Sequence, residues 1–578
     1  MQGIDLFPSR WDMKGYNFSF FKRDLTSAFS VALLALPQAM AYAFLAGLPA
    51  SAGIWSVIFG TILVAAFGHS RYLVAGSTNL VAILILSGTS EILSTYYGES
   101  LESEREALAL NIVLQLTFTT GVFQFFAAFL RFGRLTQFTS RSVIVGYVLG
   151  SAVAIVVTQL FTYFGIEQSQ DYRPIYQQGW YFLSHIHRIH IVTTMLATGS
   201  LIILIFLFKL SPKIPAAALV FFLSGILVAS LKFPHIALLG DIGFIPSDLP
   251  SLTLPVFDVR IIGKLIPLAF AIMLLSILET TTIGRSYTSG KEPPYNDNQE
   301  IYGLGIGNLI TAFLGCMPSS GSFSRSALNF SLRPKTRFSS VFSGVFVLLF
   351  VVLFGLWIKK IPLAALSALM ILTAYTMVNF RDLKICLKGT RGDAFVVIVT
   401  FLSTLFFTLD VALYVGIALS IALYLRHAST PRITEYSFNN FGKLRPLEEG
   451  DRRPDPRICI FQAEGELFFG AAELFQSKMH QIIEDENIKV VILQLLNIRY
   501  LDASVCLALE KIYTYLEGTH RYLLLAGITP EVRHILKNTG VMETLGSQNC
   551  FAAKGQLPSE PTREAYAYAK TLINIPLI

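Results

Sequence analysis

Long apolar runs alternate with short polar connections over most of the chain, and runs near the roughly 18 to 20 residues needed to cross a hydrocarbon core recur at 25–70, 142–166, 191–208, 214–231, 339–358 and 361–380. With the shorter runs between them, the pattern predicts about fourteen helical membrane segments. Their limits are 25–45, 52–67, 77–88, 110–130, 142–165, 191–208, 214–231, 265–283, 301–316, 323–332, 339–358, 361–380, 394–408 and 411–425. The first run follows a charged segment with Arg10, Lys14, Lys22 and Arg23 and extends far beyond the apolar stretch of about 7 to 15 residues in a cleaved leader, so it is expected to stay in the mature protein. Beyond Leu425 the pattern changes. Strand-like runs at 458–462, 490–495 and 522–525 alternate with helical stretches, which predicts a small α/β domain behind a linker or first edge formed by Pro431 and the charged stretch 448–457. The expected division is an N-terminal segment 1–22, a transmembrane domain 23–428 and an α/β domain 429–578.

Composition agrees with this reading: 53% of the 578 residues are hydrophobic and only 14% charged, against about 25% charged in soluble domains, so lipid is the expected solvent for most of the chain. The net charge of +7 raises nucleic acid as a partner, but its distribution answers the question. Counting from a cytoplasmic N-terminus, Arg71, Arg131/Arg134/Arg141, Lys209/Lys213, Arg285/Lys291, Arg333/Lys335/Arg337 and Arg381/Lys384/Lys388/Arg391 all fall on one side. The other side carries Glu91/Glu99/Glu102/Glu104, Asp171, Asp241/Asp248 and Asp410, with Lys359/Lys360 as the clearest exception and Arg260/Lys264 as a weaker one. This is expected to place both termini in the cytoplasm and leaves no role for nucleic acid; the membrane is expected to be a bacterial inner membrane. Five cysteines, Cys316, Cys386, Cys459, Cys506 and Cys550, have no paired spacing, so neither a disulfide framework nor a zinc site is expected. No P-loop, H-E-x-x-H or nucleophile elbow occurs in the tail; neither enzyme nor cofactor chemistry is expected.

Two short segments each follow a run of small residues, Ala75-Gly76-Ser77-Thr78-Asn79 and Ser320-Gly321-Ser322-Phe323-Ser324. If segments one to seven and eight to fourteen are repeats, the odd number per half inverts the second, and the two short helices aim their N-termini at each other near the midplane. Each start leaves N–H groups unsatisfied and carries roughly half a positive charge, so the pair suits an anion. The competing reading is that the small residues only let helices pack closely. Glu279 and Arg325 are ionisable groups inside apolar stretches and are expected to pair, with Glu279 either exchanging a proton during transport or serving as a static partner; the further alternative is that Arg325 only snorkels to the cytoplasmic surface. Gln38 and Tyr42, one helical turn apart beside Pro37, either line the same site or hydrogen-bond a neighbouring helix.

The stretch Leu36-Pro37-Gln38-Ala39-Met40-Ala41-Tyr42-Ala43-Phe44-Leu45-Ala46-Gly47-Leu48-Pro49, with Gly321-Ser322-Phe323-Ser324-Arg325-Ser326-Ala327 and Asn298-Gln299-Glu300 followed by Gly303 and Asn308, resembles the SulP family of sulfate transporters and related anion exchangers. The resemblance implies seven-plus-seven inverted repeats forming core and gate domains, a homodimer, and an elevator-like movement of the core. It also implies an anion between the starts of the third and tenth helices, near Gln38, Tyr42, Ser77, Thr78, Phe323, Ser324 and Arg325, with Glu279 as the proton-coupling group. Members similar to plant sulfate carriers have Glu at that position and use protons. A sodium-dependent bicarbonate relative has Asp there, with Thr one turn later where this chain has Ile283. Many relatives have Pro where this chain has Ser77.

In the tail, Leu501-Asp502-Ala503-Ser504 and Leu525-Ala526-Gly527-Ile528-Thr529-Pro530-Glu531-Val532 resemble the STAS domain of these transporters and of anti-sigma-factor antagonists. In the antagonists the serine matching Ser504 is phosphorylated; here Asp502 and Ser504 equally suit a helix N-cap. The tail is expected to serve regulation, dimer stabilisation or a cytoplasmic protein partner. The function expected is transport of a small oxyanion, most specifically sulfate with protons. The alternatives are exchange or channel conduction of bicarbonate or another anion without proton coupling, and a membrane-anchored signalling protein.

Overall fold

A computed structural model describes the chain apart from residues 1–3, 7, 9–14, 98–101, 134–139, 167–173, 211–215, 232–235, 243–249, 251, 288–294, 431, 440–442, 448–452, 554–558 and 574–578. Arg10, Lys14, Glu99, Arg134, Asp171, Lys213, Asp248, Lys291, Pro431 and Glu448, and the side chain of Glu102, therefore lie outside the described residues. The chain divides into two compact units, 1–420 and 421–578.

The first unit is helical, its last helix running past the division at residue 420. In order it contains α1 (Phe18–Leu45), α2 (Ala50–Trp55), a π turn at Ser56–Gly60, α3 (Thr61–Phe67), α4 (Asn79–Tyr96), α5 (Glu102–Phe129), α6 (Arg141–Phe164), α7 (Ile175–Ser184), α8 (Ile191–Leu210), α9 (Ala216–Leu231), α10 (Leu239–Ile242), α11 (Ile262–Tyr287), α12 (Asp297–Thr311), α13 (Phe323–Leu332), α14 (Phe338–Ile358), α15 (Leu363–Met377), α16 (Phe380–Lys388), α17 (Arg391–Phe406) and α18 (Leu409–Ala428). Among the described residues, ten helical stretches are long and apolar enough to cross a membrane. The outward faces of α8, α9 and α14 expose Ile202, Phe206, Phe222, Leu223, Val352 and Leu353, as a lipid solvent requires.

Two helical expectations need correction. The segment at 77–88 is not short: α4 continues to Tyr96 for 18 residues. Ser87, Gly88, Thr89, Ser90 and Glu91 interrupt its apolar run, and Glu91 is neutralised by Lys264 Nζ at 2.5 Å. The short helices α7 and α16 did not register as separate elements, because each covers only two or three turns on the margin of a longer apolar run.

Between the helices lie two extended pairs of residues, β1 (Ala75–Gly76) and β2 (Ser320–Gly321), which pair antiparallel with Ala75 opposite Gly321 and Gly76 opposite Ser320. So short a ladder has little stability alone, and buried polar side chains hold it from both halves of the chain. The chain approaching β1 is pegged residue by residue. Asn329 Nδ2 donates to Tyr72 O (3.1 Å), Ser340 Oγ to Leu73 O (2.8 Å), Val74 N–H to Ser326 Oγ (3.0 Å), and Thr61 Oγ1 to Ala75 O (2.6 Å). On the β2 side, Asn308 accepts from Ser319 N (2.8 Å) and donates to Gln124 Oε1 (2.8 Å), and Gln124 in turn donates to Ser276 Oγ (2.6 Å). Close backbone approach makes this network possible: a Cβ at Gly305 would lie 2.6 Å from Phe125 N and one at Gly121 2.6 Å from Leu309 N, so α5 and α12 meet through their small-residue faces.

The second unit is an α/β sandwich. Its strands are β3 (Arg432–Phe438), β4 (Leu444–Pro446), β5 (Ile458–Leu467), β6 (Val490–Gln494), β7 (Ile498–Leu501), β8 (Tyr522–Ile528) and β9 (Cys550–Ala552), in sheet order β4-β3-β5-β6-β8-β9 with β7 also on β5. Strands β5, β6, β8 and β9 run parallel, and β3 adds antiparallel to β5. The central strands β6 and β8 are buried on both faces and read as unbroken apolar runs. Helices α19 (Phe469–Ile483), α20 (Ala503–Gly518), α21 (Pro530–Asn538) and α22 (Val541–Leu545) close one face through Phe475, Leu509 and Leu536. Helix α23 (Glu560–Ile573) covers the other through Ala565 and Ala569. The three predicted strands are present; β3, β4, β7 and β9 are additional: β4, β7 and β9 have only three or four residues, and β3, between β4 and β5, has a mixed polar sequence.

Asn308→Ala strands the amide of Ser319 and the Gln124 carbonyl in the interior, at an expected cost of about 1–3 kcal/mol each. The check is a lowered thermal transition in detergent, with Asn308→Gln intermediate.

Candidate functional site

The helix starts α4 and α13 directly follow the paired strands, so the β1–β2 ladder sets where both begin. Thr78 and Ser322 occupy their N-cap positions with extended backbones, and neither side chain caps its own helix. On α4, Asn79 Oδ1 takes the Leu80 amide. The remaining first-turn N–H groups have no side-chain cap, which is the condition for anion binding at a helix N-terminus.

Arg325, in the first turn of α13, is fully buried and among the largest side chains so enclosed. Its Nη2 donates to the carbonyl of Ser77 in the opposite half at 2.6 Å, while Nε and Nη1 are buried without a partner among the described residues. The expected ion pair with Glu279 does not form. The Glu279 carboxylate, buried on α11, instead accepts from Ser320 Oγ (2.6 Å) and Thr78 Oγ1 (3.4 Å). Both charges therefore sit in the same centre, each held by neutral groups. The physical reason is that α11 presents Glu279 to the strand crossing, where hydroxyls are nearer than the guanidinium.

Gln38 lies on α1 with its amide 3.3 Å from Ser324 Oγ. The arrangement is reciprocal: a polar side chain of the first half meets the start of α13, and one of the second half, Glu279, meets the start of α4. Tyr42 is buried and within electrostatic reach of both Arg325 and Glu279. Phe323 and Ser324 are exposed at the mouth of α13. Ser77 contributes its backbone carbonyl to Arg325, and its buried hydroxyl has no partner among the described residues. A proline at this position would keep the same acceptor, so departure from the common family residue leaves the Arg325 contact intact.

Three contributors escaped the sequence reading. Thr280 Oγ1 accepts the Gly321 amide at 3.0 Å, Ser320 binds Glu279, and Gly76 lies in the left-handed half of backbone space at φ +132° with room for no side chain. A Cβ there would lie 3.0 Å from Arg325 Nη1 and 3.1 Å from Val57 Cα. Ser320 and Gly76 stood within the small-residue runs; Thr280 sits beside Glu279, and only the fold shows which hydroxyl turns to the strand. A π turn at Ser56–Gly60 brings Ser56 Oγ to 3.1 Å from Ser319 Oγ, and such turns often accompany functional sites.

At the far ends of the two site helices, Lys264 at the start of α11 pairs with Glu91 near the end of α4, and Tyr97 OH donates to Asp258 at 2.6 Å. Hydrogen bonds from Arg260 and Tyr97 hold the Asp258 carboxyl below the usual carboxylate range.

In the second unit, Asp502 is the N-cap of α20. Its carboxylate accepts from Ser504 N (3.0 Å), Val505 N (3.1 Å) and, across to α19, Phe469 N (2.6 Å). Ser504 is half-buried in the first turn rather than capping it.

A multi-pass helical bundle whose two interrupted segments converge on a buried guanidinium has the architecture of a secondary transporter with an anion-suited centre. The chain belongs to the sulfate permease family, whose model matches residues 21–400, and it carries a STAS domain at residues 451–555. It is a multi-pass membrane protein that transports a small oxyanion, not an enzyme. It is 26% identical over 540 residues to the putative sulfate transporter YvdB of Bacillus subtilis, covering 93% of this chain and 97% of that one. It is 26% identical over 575 residues to the probable sulfate transporter 4.2 of Arabidopsis thaliana, covering 94% and 82%. Its fold matches the murine Solute Carrier 26 family member A9 anion transporter with TM-score 0.88 at 20% identity, over 98% and 94% of the two chains. It also matches the transmembrane domain of the cyanobacterial bicarbonate transporter BicA with TM-score 0.59 at 20% identity, over 70% and 98%.

Two substitutions separate the parts. Gly76→Val, through its backbone conformation and contact with Arg325, is expected to abolish anion uptake by reconstituted protein. Asp502→Ala is expected to destabilise the tail by about 0.5–2 kcal/mol, seen as earlier proteolysis of the tail in the full chain, with the α4 and α13 centre untouched.

Proposed function

We propose that the chain carries sulfate in symport with protons, by an elevator-like movement of a core domain against a gate domain built as seven-plus-seven inverted repeats. It does so as a homodimer in a bacterial inner membrane, with both termini and the STAS domain in the cytoplasm. The observation that carries the reading is Arg325: a fully buried guanidinium with two donors unpartnered among the described residues, set between two helix starts whose caps leave N–H groups open. A tetrahedral oxyanion has the charge and the acceptor number to use those donors. Gln38, Ser324 and Tyr42 would complete its surroundings, with Thr78 at the second helix start and Phe323 covering the mouth.

The coupling follows from charge. An ionised Glu279 and a bound oxyanion are like charges within the field of one guanidinium. Protonation of Glu279 leaves that field to the anion, so the two ligands load together and leave together. Sodium in place of the proton is disfavoured because Ile283 offers no oxygen one turn after Glu279 and the neighbouring hydroxyls face apart: Thr280 Oγ1 accepts from Gly321 N on the strand crossing, and Thr281 Oγ1 donates to Ile277 O of its own helix at 2.7 Å. The relatives named as sulfate transporters support sulfate as the substrate. Likeness to a bicarbonate transporter supports the second reading, exchange of bicarbonate or another anion without protons. The STAS domain then acts in regulation or partner binding, with Asp502 as a cap and Ser504 as a phosphorylation candidate.

The test is labelled sulfate uptake into proteoliposomes, with and without an inward proton gradient at fixed membrane potential. The parent is expected to be stimulated by the gradient, and Glu279→Gln to lose the stimulation while still binding sulfate. Arg325→Ala, losing charge-assisted hydrogen bonds of about 1.5–3 kcal/mol each, is expected to weaken binding roughly ten-fold or more. Uptake indifferent to the gradient in the parent favours the second reading.

A further inference from the structure

Helix α16 supplies none of the side chains of the transport centre, although Met377 just before it accepts from Asn79 Nδ2 at the start of α4, and its surface is unlike that of the neighbouring helices. Extended residues Val378 and Asn379 interrupt the helix after α15, and Asn379 Oδ1 caps the new start by accepting from Arg381 N and Asp382 N. Nine residues later Gly389 ends it, and Thr390 caps α17. The helix lies against the beginning of α6: Arg141 pairs with Asp382 at 2.6 Å, and Ser142 Oγ donates to Asp393 at the beginning of α17 at 2.7 Å. Two apolar helices therefore start beside α16 and a third ends into it, which puts it at the level where the bilayer meets water.

Eight of its nine residues fall on three faces, and Ile385, also exposed, lies beyond the basic one. Cys386 is buried and Asp382 is turned to Arg141, so this side belongs to the protein. Phe380, Leu383 and Leu387, at spacings of three and four, share a second face; Phe380 and Leu387 are exposed, and the Phe380 ring rests 5.8 Å from Tyr375. Arg381, Lys384 and Lys388, at the same spacings, share the adjoining face, all exposed, with Arg391 exposed just beyond. None of these four cations forms an ion pair among the described residues. The nearby carboxylates are otherwise engaged: Asp382 with Arg141, and Asp393 with Ser142 Oγ and Thr390 Oγ1.

An exposed apolar face beside an unpaired basic face is the pattern of a helix lying in the bilayer interface. We propose that α16 is such a helix and binds anionic phospholipid headgroups, with Phe380 and Leu387 in the acyl region and Arg381, Lys384 and Lys388 on the phosphates. Charge complementarity and the position between membrane-spanning neighbours select anionic lipid over a soluble anion, which would use the basic face and leave the apolar one in water.

The experiment places a reporter on the apolar face of the full chain. Leu387→Trp protein is reconstituted into phosphatidylcholine vesicles containing an equal fraction of either brominated phosphatidylglycerol or brominated phosphatidylcholine. Quenching of the added emission is then measured against the parent. Quenching by brominated phosphatidylglycerol is expected to exceed that by brominated phosphatidylcholine about three-fold and to fall as salt rises. The excess is expected to vanish in the same protein carrying Arg381→Gln, Lys384→Gln and Lys388→Gln, and to survive Lys384→Arg with Lys388→Arg. Residual quenching of the triple variant by brominated phosphatidylcholine reports that its helix is still seated. Equal quenching by the two lipids, no quenching by either, an excess that survives the triple variant, or its abolition by millimolar inorganic phosphate would each overturn the proposal.

Discussion

The antiparallel meeting of Ala75–Gly76 with Ser320–Gly321 is the constraint on which the rest of the transport unit depends. Extended backbone inside a membrane protein is tolerated only where every N–H and C=O finds a partner within the protein, and a two-residue ladder supplies few of them. The surrounding helices make up the difference with Thr61, Thr280, Asn308, Ser326, Asn329 and Ser340, hydroxyls and amides whose hydrogen bonds end on backbone atoms of the crossing or of the chain leading into it. What looks like scattered polarity in apolar helices is thus a single support. It fixes both helix starts and, through the carbonyl of Ser77, the guanidinium between them.

Much of this was legible from residue types. Glu279 and Arg325 stood out because charge inside an apolar run requires an explanation, and the small-residue runs marked the places where helices begin in mid-membrane. Their partners were less visible. Arg325 is held by a carbonyl, a group every residue possesses, so no side-chain identity could reveal it; the supposed ion pair was the nearest guess that side chains alone allow. The length of α4 was hidden for the opposite reason: Glu91 makes the helix look finished, and only the distant Lys264 lets it continue. In the tail, the buried parallel strands were plain from their apolar runs, whereas β3 and β9 are defined by pairing with β5 and β8 rather than by a pattern of their own.

The two units also use carboxylates in contrasting ways. Asp502 satisfies three amides and welds two helix starts together, a task that keeps it fully occupied. Among the described residues Glu279 accepts from two hydroxyls, which can donate to a carboxylate or accept from a carboxylic acid with little rearrangement. Hydroxyl neighbours can serve either as donors or as acceptors, whereas amide N–H groups can only donate.

The contact between Arg325 and Ser77 joins positions 248 residues apart. At a synthesis rate of about 5–20 residues per second, the first strand leaves the ribosome on the order of tens of seconds before the arginine that completes it has been made. Throughout that interval the early half of the protein carries a helix start and a strand edge whose partners do not yet exist. Biogenesis therefore has to tolerate an unfinished polar seam at the membrane, and the order of assembly becomes a property of the fold as much as the final geometry.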